Sequence, residues 1–495
     1  MANLKDIGYG IGKYLEASDA SDIPGIGNNR TNIDLLNFKV ATNNAYALYN
    51  FKDGMIDAYQ TSGGVDAGTS TNETYDSSGK YYSGIVDSTT GGTVVTYTDG
   101  GTDYTSRTFT SSGNLVIPSA GSVDYLIVAG GGGGGNAGAN TGPWGAGGGG
   151  GAGGVLTSTA LALTAQTYTI TVGDGGAGGG FQSSAQNGSS GGNSSIVPVT
   201  SGTSYIAIGG GAAANAVASS VGLNGGSGGG GCYGTRASGT GTAGPPIQGY
   251  DGGTNTYAAS GAGGGGAGAQ GGASANPAGA GGTGISNDYR DGTSGTTIGT
   301  HYFAGGGGAG SYNGISGTAT YGGGGGGLVT GTLNGTSNGV AATANSGGGG
   351  GGGAPQNVGN PASGGAGGDG GNGIVVVRYV DGAFGSGADM TLISNAQTAQ
   401  AAPTEGRLML YEETSTGSTT LDTDLKGYVS RDGGTTYTQT PLTLDTTYET
   451  GKTLVSGSVD ISGQPSGTSM KYKIETLNQS ASKVCRLHGA SLLWA

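Results

Sequence analysis

Ser122-Val123-Asp124-Tyr125-Leu126-Ile127-Val128-Ala129, followed by the unbroken run Gly130 to Gly135, decides how this chain must be read. A strongly apolar strand passes directly into bare backbone. Comparable runs recur at Gly147 to Gly151, Gly305 to Gly308, Gly322 to Gly327 and Gly347 to Gly353, and most of the 119 glycines lie between residues 123 and 380. Glycine loses more conformational freedom on ordering than any other residue. Such a region orders only if something systematic holds it. It closes on a second apolar strand, Gly373-Ile374-Val375-Val376-Val377-Arg378-Tyr379-Val380. Two framing strands this well matched predict a closed domain whose ends pair in one sheet.

Three conformations compete for the tracts. Collagen needs glycine at every third position and abundant proline; here the runs are continuous and the chain has 12 prolines. A disordered low-complexity linker is the compositional default, but the framing strands and the interleaved Tyr168-Thr169-Ile170-Thr171-Val172 and Tyr205-Ile206-Ala207-Ile208 oppose it. The third is a bundle of polyglycine II helices, with three residues per turn and no internal hydrogen bonds. Its N–H and C=O groups point sideways and need partners. Ordering costs about 1–2 kcal/mol per residue, so only a dense lattice of bonds at about 0.5–1.5 kcal/mol each offsets it. The third reading fits best.

Outward from this region, residues 1–80 form an N-terminal attachment or oligomerisation segment. Ile33, Leu35, Leu36, Phe38, Val40, Tyr46, Leu48, Phe51, Met55 and Ile56 give a partly helical pattern, and 61–80 read as a linker. Residues 81–122 form a short β module of Thr-, Tyr- and Val-rich strands punctuated by glycine pairs. Residues 381–495 return to conventional strands, at 407–411, 425–430, 453–460, 470–475 and 490–494, and predict an antiparallel β-sandwich. The fold class is mainly β, with a polyglycine II bundle and a small, partly helical anchor.

Composition narrows function. A net charge of −13 argues against nonspecific nucleic-acid binding, which requires a basic surface, and against docking on an anionic membrane. The sequence has no stretch of 18 apolar residues, so no membrane insertion is expected, and its first residues have no signal-peptide pattern. Cys232 and Cys485 read as free thiols. The many GxGxxG matches lack the strand–loop–helix order of a dinucleotide site. His301 and His488 gather no readable metal or triad partners, so neither a metal nor another cofactor is expected. Asp422 and Asp445 could in principle form a glycosidase pair, but isolated surface acids are far commoner. The protein is therefore not expected to be an enzyme. Ser430-Arg431-Asp432-Gly433-Gly434-Thr435-Thr436-Tyr437 is similar to the Asp-box of sialidases, in which it is a structural hairpin turn.

The segment 122–135, Tyr168-Thr169-Ile170-Thr171-Val172-Gly173 and the closing Gly371 to Tyr379 resemble the glycine-rich domains of phage tail fibres and tail-tip adhesins. The resemblance covers roughly 120–380. It implies a polyglycine II sandwich whose distal loops carry host recognition, attachment to other virion proteins through the N-terminal region, and a homotrimer made in the host cytoplasm. Within 123–380, aromatic and basic residues fall at the tract breaks: Pro143-Trp144, Tyr233, Arg236, Tyr250, Tyr257, Tyr289, Arg290, His301, Tyr302, Phe303, Tyr312 and Tyr321. Such residue types favour recognition surfaces, and sugars stack on their rings; the bland alternative is that the rings plug the ends of the lattice. The expected partner is a host-surface glycan or protein. A decoration protein without receptor role, and a polysaccharide-degrading enzyme, are the competing classes.

Overall fold

The computed structural model describes residues 48–51, 53–77, 79–137, 145–180, 186–216, 220–232, 236–257, 259–293, 295–312, 314–328, 337–355, 364–449, 451–480 and 482–495. These are mainly β, arranged in several antiparallel sheets; the helical content described here is the single 3-10 turn Ser62–Gly64. They form two compact units, residues 87–384 and residues 48–86 with 385–495.

In the first unit the framing strands pair as expected. Gly121–Val128 lies antiparallel to Ile374–Val380, with Val128 opposite Ile374 and Asp124 opposite Arg378. Val155–Leu163 flanks them on one side, and the hairpin Thr93–Asp99/Thr102–Phe109 on the other. Side chains alternate across a strand, and this sheet is covered on both faces. Val123, Tyr125, Ile127, Val375 and Val377 pack with Leu115, Ile117, Ile170 and Ile196 of a second, four-stranded sheet. Leu126, Val128, Ile374 and Val376 bury their opposite face against Phe303. Burial on both faces is why the strands read as continuous apolar runs rather than alternating ones.

From these sheets the glycine tracts run out and back, bonded to one another through their backbones. Tract 129–137 donates in a strict rotation. Gly130, Gly133 and Asn136 donate to Gly192, Ser189 and Gln186; Gly131, Gly134 and Ala137 donate to Gly371, Gly368 and Gly365; Gly132 and Gly135 donate to Gly151 and Gly148. Its carbonyls accept in the same rotation from tracts 208–216, 172–180 and 347–355. The period is therefore three, and the tract has six neighbours, three antiparallel and three parallel. Tract 145–154 is likewise surrounded by six. At Gly150 a side chain has no room: a Cβ there would lie 2.8 Å from the Gly132 carbonyl carbon and 3.0 Å from that of Gly133. Glycine is required for close approach, and the pairing of backbone groups offsets the entropy of fixing it.

The second unit is a β-sandwich. Glu405–Thr416, Lys452–Asp460, Thr443–Glu449 and Val484–Trp494 lie in one sheet; Met390–Ile393, Leu425–Ser430, Thr438–Thr440 and Ser469–Thr476 lie in the other. Leu408, Leu410 and Leu492 meet Val429, Tyr472 and Ile474 in its core.

The helical reading of the N-terminal part fails where it can be compared. Leu48–Phe51 and Gly54–Asp57 are a hairpin turning at Asp53, whose φ is +61°, and Gly54–Asp57 pairs with Ala490–Leu493 of the long C-terminal strand. Pairing with an available sheet edge overrides a weak 3.6-residue periodicity. The remaining helical pattern, at Ile33 to Tyr46, lies outside the described residues. The stretch 61–80 does not run free: Thr61 caps the 3-10 turn, and Val65 and Thr71 bridge to Ser394 and Thr391.

Candidate functional site

The hydrogen-bond register sorts the tract breaks by end. Gly135, Gly353, Gly147, Gly310 and Gly261 are linked in turn by N–H to C=O bonds, so they stand at one level, remote from the sheets. The breaks carrying Arg236, Tyr257 and Tyr312 open at this distal end. Val155 donates to Gln248, Gly153 to Gly347 and Ala304 to Ser346 at the opposite end, beside the sheets. The break carrying Tyr289, Arg290, His301 and Tyr302 lies there. Tyr250, two residues beyond Gln248, is on the flank nearer the sheet end. Trp144 and Tyr233 lie outside the described residues.

The sheet-end group is committed to internal contacts. Arg378 is the hub: its Nε donates to Asp124 Oδ2 at 3.0 Å and its Nη1 to Tyr97 Oη at 3.2 Å and Asp99 Oδ2 at 3.3 Å. The guanidinium lies over two rings, 4.1 Å from the centroid of Tyr289 and 4.5 Å from that of Tyr104. Tyr289 therefore covers a buried cation. Burial raises its phenol pKa, with the Asp124 charge acting in the same direction. Arg290 Nη1 donates to Gly299 O at 2.6 Å and ties its own loop. His301 is 8% exposed, with Nε2 3.1 Å from Asp291 Oδ1 and 2.9 Å from Thr293 Oγ1. Tyr302 meets Tyr321 edge-on at 4.5 Å between centroids. These residues are engaged within the unit rather than offered to solvent.

The others differ. Tyr257 is 45% exposed and Tyr250 41%, while Arg236 and Tyr312 are partly exposed. The backbone beneath Tyr257 is fixed, because its N–H donates to Asn255 Oδ1 at 3.1 Å and Ser274 Oγ at 2.9 Å. A ring on a pinned backbone is a low-entropy contact surface. Arg236, Tyr257 and Tyr312 are thus brought to one end, apart from the Tyr289–Tyr302 group.

The other motifs resolve structurally. Asp432 Oδ1 accepts from Ser430 Oγ at 2.8 Å, Thr435 N at 3.1 Å and Thr436 N at 2.9 Å, with Gly433 and Gly434 at positive φ; this is the expected hairpin turn. Arg431 is buried and donates to the carbonyls of Pro403, Ser462, Gln464 and Pro465. Asp422 accepts from Leu442 N at 3.1 Å, and Asp445 faces Arg407 at 3.9 Å, so the two acids serve separate contacts. Both cysteines are free and buried. Among the described residues, no three His, Cys, Asp or Glu side chains gather as metal ligands, and no helix is long and apolar enough to cross a membrane.

One arrangement escaped the sequence reading. At the edges of the lattice an Asn or Asp followed by glycine grips the neighbouring tract at two points. Asn224 Oδ1 accepts from Thr240 N at 2.8 Å, and Gly225 N donates to Thr240 O at 3.2 Å. Asn338 and Gly339 hold Ala366 the same way, both at 2.9 Å. Asn372 with Gly373, Asp369 with Gly370 and Asp251 with Gly252 grip antiparallel tracts at residues two apart: their side-chain oxygens accept from Gly175, Gly178 and Gly241, and their glycines donate to Gly173, Gly176 and Gly239. The side-chain oxygen stands in for a missing backbone carbonyl and closes an edge that would otherwise expose unpaired groups. The signal was Asx-Gly recurring within the tracts.

Residues 105–380 match a family described as a glycine-rich domain. No curated protein matches the chain.

Proposed function

The chain belongs to the glycine-rich domain family, because the match spans more than half of it, and on that premise we propose that it is a noncatalytic phage virion protein, a tail fibre or tail-tip adhesin that attaches to the host surface. The tracts are read as polyglycine II helices; the rotation of donors with period three and the six-neighbour bonding support this. The observation that carries the functional reading is the segregation of tract breaks. A rigid lattice holds Arg236, Tyr257 and Tyr312 at the end remote from the sheets, with Tyr257 exposed on a pinned backbone. This suits presentation of aromatic and basic groups to a glycan or an outer-membrane receptor. Trimerisation and attachment through the N-terminal region rest on the resemblance to fibres alone.

Immunogold electron microscopy of intact particles, with an antibody to residues 385–495, tests the reading. Label at the outer ends of tail fibres supports adhesion. Label spread over the capsid sinks it and leaves a decoration role.

A further inference from the structure

Asn224-Gly225, Asn338-Gly339 and Asn372-Gly373 are sequences that age chemically when unfolded. The glycine amide nitrogen attacks the asparagine Cγ, a new N–Cγ bond closes a succinimide, and the bond from Cγ to the asparagine Nδ2 breaks. The departing nitrogen leaves as ammonia, carrying the proton released from the glycine N–H. Water then opens the ring. Cleavage of the new N–Cγ bond gives aspartate; cleavage of the original peptide bond gives isoaspartate, with an extra methylene in the main chain. Glycine at the second position hinders the attack least, because it has no side chain. All three asparagines make their side-chain hydrogen bonds at exposed positions, so burial does not protect them.

We propose that these three Asn-Gly pairs are latent deamidation sites that the folded lattice holds inert. In each clasp both reacting groups are occupied by the same neighbouring tract. The asparagine Oδ1 accepts from Thr240, Ala366 or Gly175, at 2.8, 2.9 and 2.9 Å. The glycine N–H that must attack donates to Thr240, Ala366 or Gly173, at 3.2, 2.9 and 2.9 Å. Reaction requires Cγ to swing onto that nitrogen, which breaks both bonds and lifts the edge tract away. The product aspartate keeps the accepting Oδ1, and aspartate already accepts a tract N–H beside a donating glycine at Asp251 and Asp369, in the arrangement Asn372 makes. Isoaspartate does not fit, because an added main-chain atom displaces every later donor from its period of three. Each opening of an edge therefore risks an irreversible loss of register, and the clasps set the chemical lifetime of the lattice.

The test is peptide mass spectrometry of the full-length protein, incubated in mildly alkaline buffer at physiological temperature, folded and in guanidinium. Deamidation at Asn224, Asn338 and Asn372 is expected to be slower by more than an order of magnitude in the folded protein. Equal rates in the two states overturn the proposal. Asn338→Asp and Asn338→Ala provide an independent arm through melting temperature. The aspartate variant is expected to melt like the parent and the alanine variant lower; an aspartate variant as damaged as the alanine one also overturns it.

Discussion

Alanine substitution along the run Gly322 to Gly327 yields a pattern that composition alone cannot produce. A Cβ on Gly324 would overlap the Val340 carbonyl oxygen and lie 2.8 Å from its carbon and 2.9 Å from Gly351 N. A Cβ on Gly326 would overlap the Ala309 carbonyl oxygen and lie 3.0 Å from Gly310 N. A Cβ on Gly325 meets nothing within 4 Å. Relieving the overlap at Gly324 means moving tract 322–328 off its neighbours. That breaks Gly324 N to Gly349 O and Gly308 N to Gly324 O, both 2.9 Å, and Val340 N to Gly325 O, 2.8 Å. At about 1 kcal/mol for each net bond, with a further penalty for a group left buried and unpaired, Gly324→Ala costs about 3–5 kcal/mol. Gly326→Ala is expected to be of the same order. Gly325→Ala instead removes freedom only from the unfolded state and gains about 0.4–1 kcal/mol. At about 2–4 °C per kcal/mol, scanning calorimetry should show the transition of the glycine-rich unit falling by roughly 10 °C in the first two variants. It should rise by about 1–3 °C in the third. Equal melting temperatures for all three, or Gly325→Ala as the worst, would refute the close-packed register.

Asp57 offers a pH test in the sandwich unit. Its carboxyl is fully buried, accepts from Tyr59 N at 3.1 Å, and faces the neutral phenols of Tyr59, Tyr75, Tyr82 and Tyr472. Desolvation pushes its pKa up from 3.8 to about 7. The folded state therefore binds the proton more tightly than the unfolded one, and this contribution to stability is full below the unfolded value and lost as pH rises to about 7. Asp57→Asn should flatten melting temperature against pH over that window and raise it on the alkaline side; an unchanged slope refutes the assignment. Arg378→Lys cannot keep the simultaneous bonds to Asp124, Tyr97 and Asp99 together with the planar contacts on Tyr104 and Tyr289, and should destabilise the glycine-rich unit by about 3 kcal/mol. Host-cell binding, measured below the melting transition, should be unaffected by that change. Tyr257→Ala should behave oppositely, leaving melting within about 0.5 kcal/mol of the parent while weakening cell binding; unaltered binding removes Tyr257 from the recognition surface.

The framing strands and the sandwich strands were legible because their apolar runs are strong and bounded by turn residues. Val123 to Val128 and Ile374 to Val380 announced both their existence and their mutual pairing. The hairpin at residues 48–57 was not legible. Its partner strand is more than 400 residues away, and no local period reports such a template. At the candidate site, the sequence marked tract breaks without their direction. Tyr289 and Tyr257 therefore looked equivalent, although one covers Arg378 beside the sheets and the other is exposed at the distal end. Direction depends on whether a tract runs out or back, which the inter-tract register sets. The Asx-Gly clasps were written in the tracts, yet their meaning required knowing which neighbour each side chain reaches.

The alternation of outgoing and returning tracts has an evolutionary consequence. Each tract's height is fixed by bonds to its neighbours along its length, not by the few residues that join it to the next. A distal connection can lengthen, shorten or change composition without moving the tracts beneath it. Selection can therefore exchange one connection at a time while the scaffold stays constant. Variation among descendants of this protein should collect at the distal tract breaks and spare the glycines of the tracts beneath them.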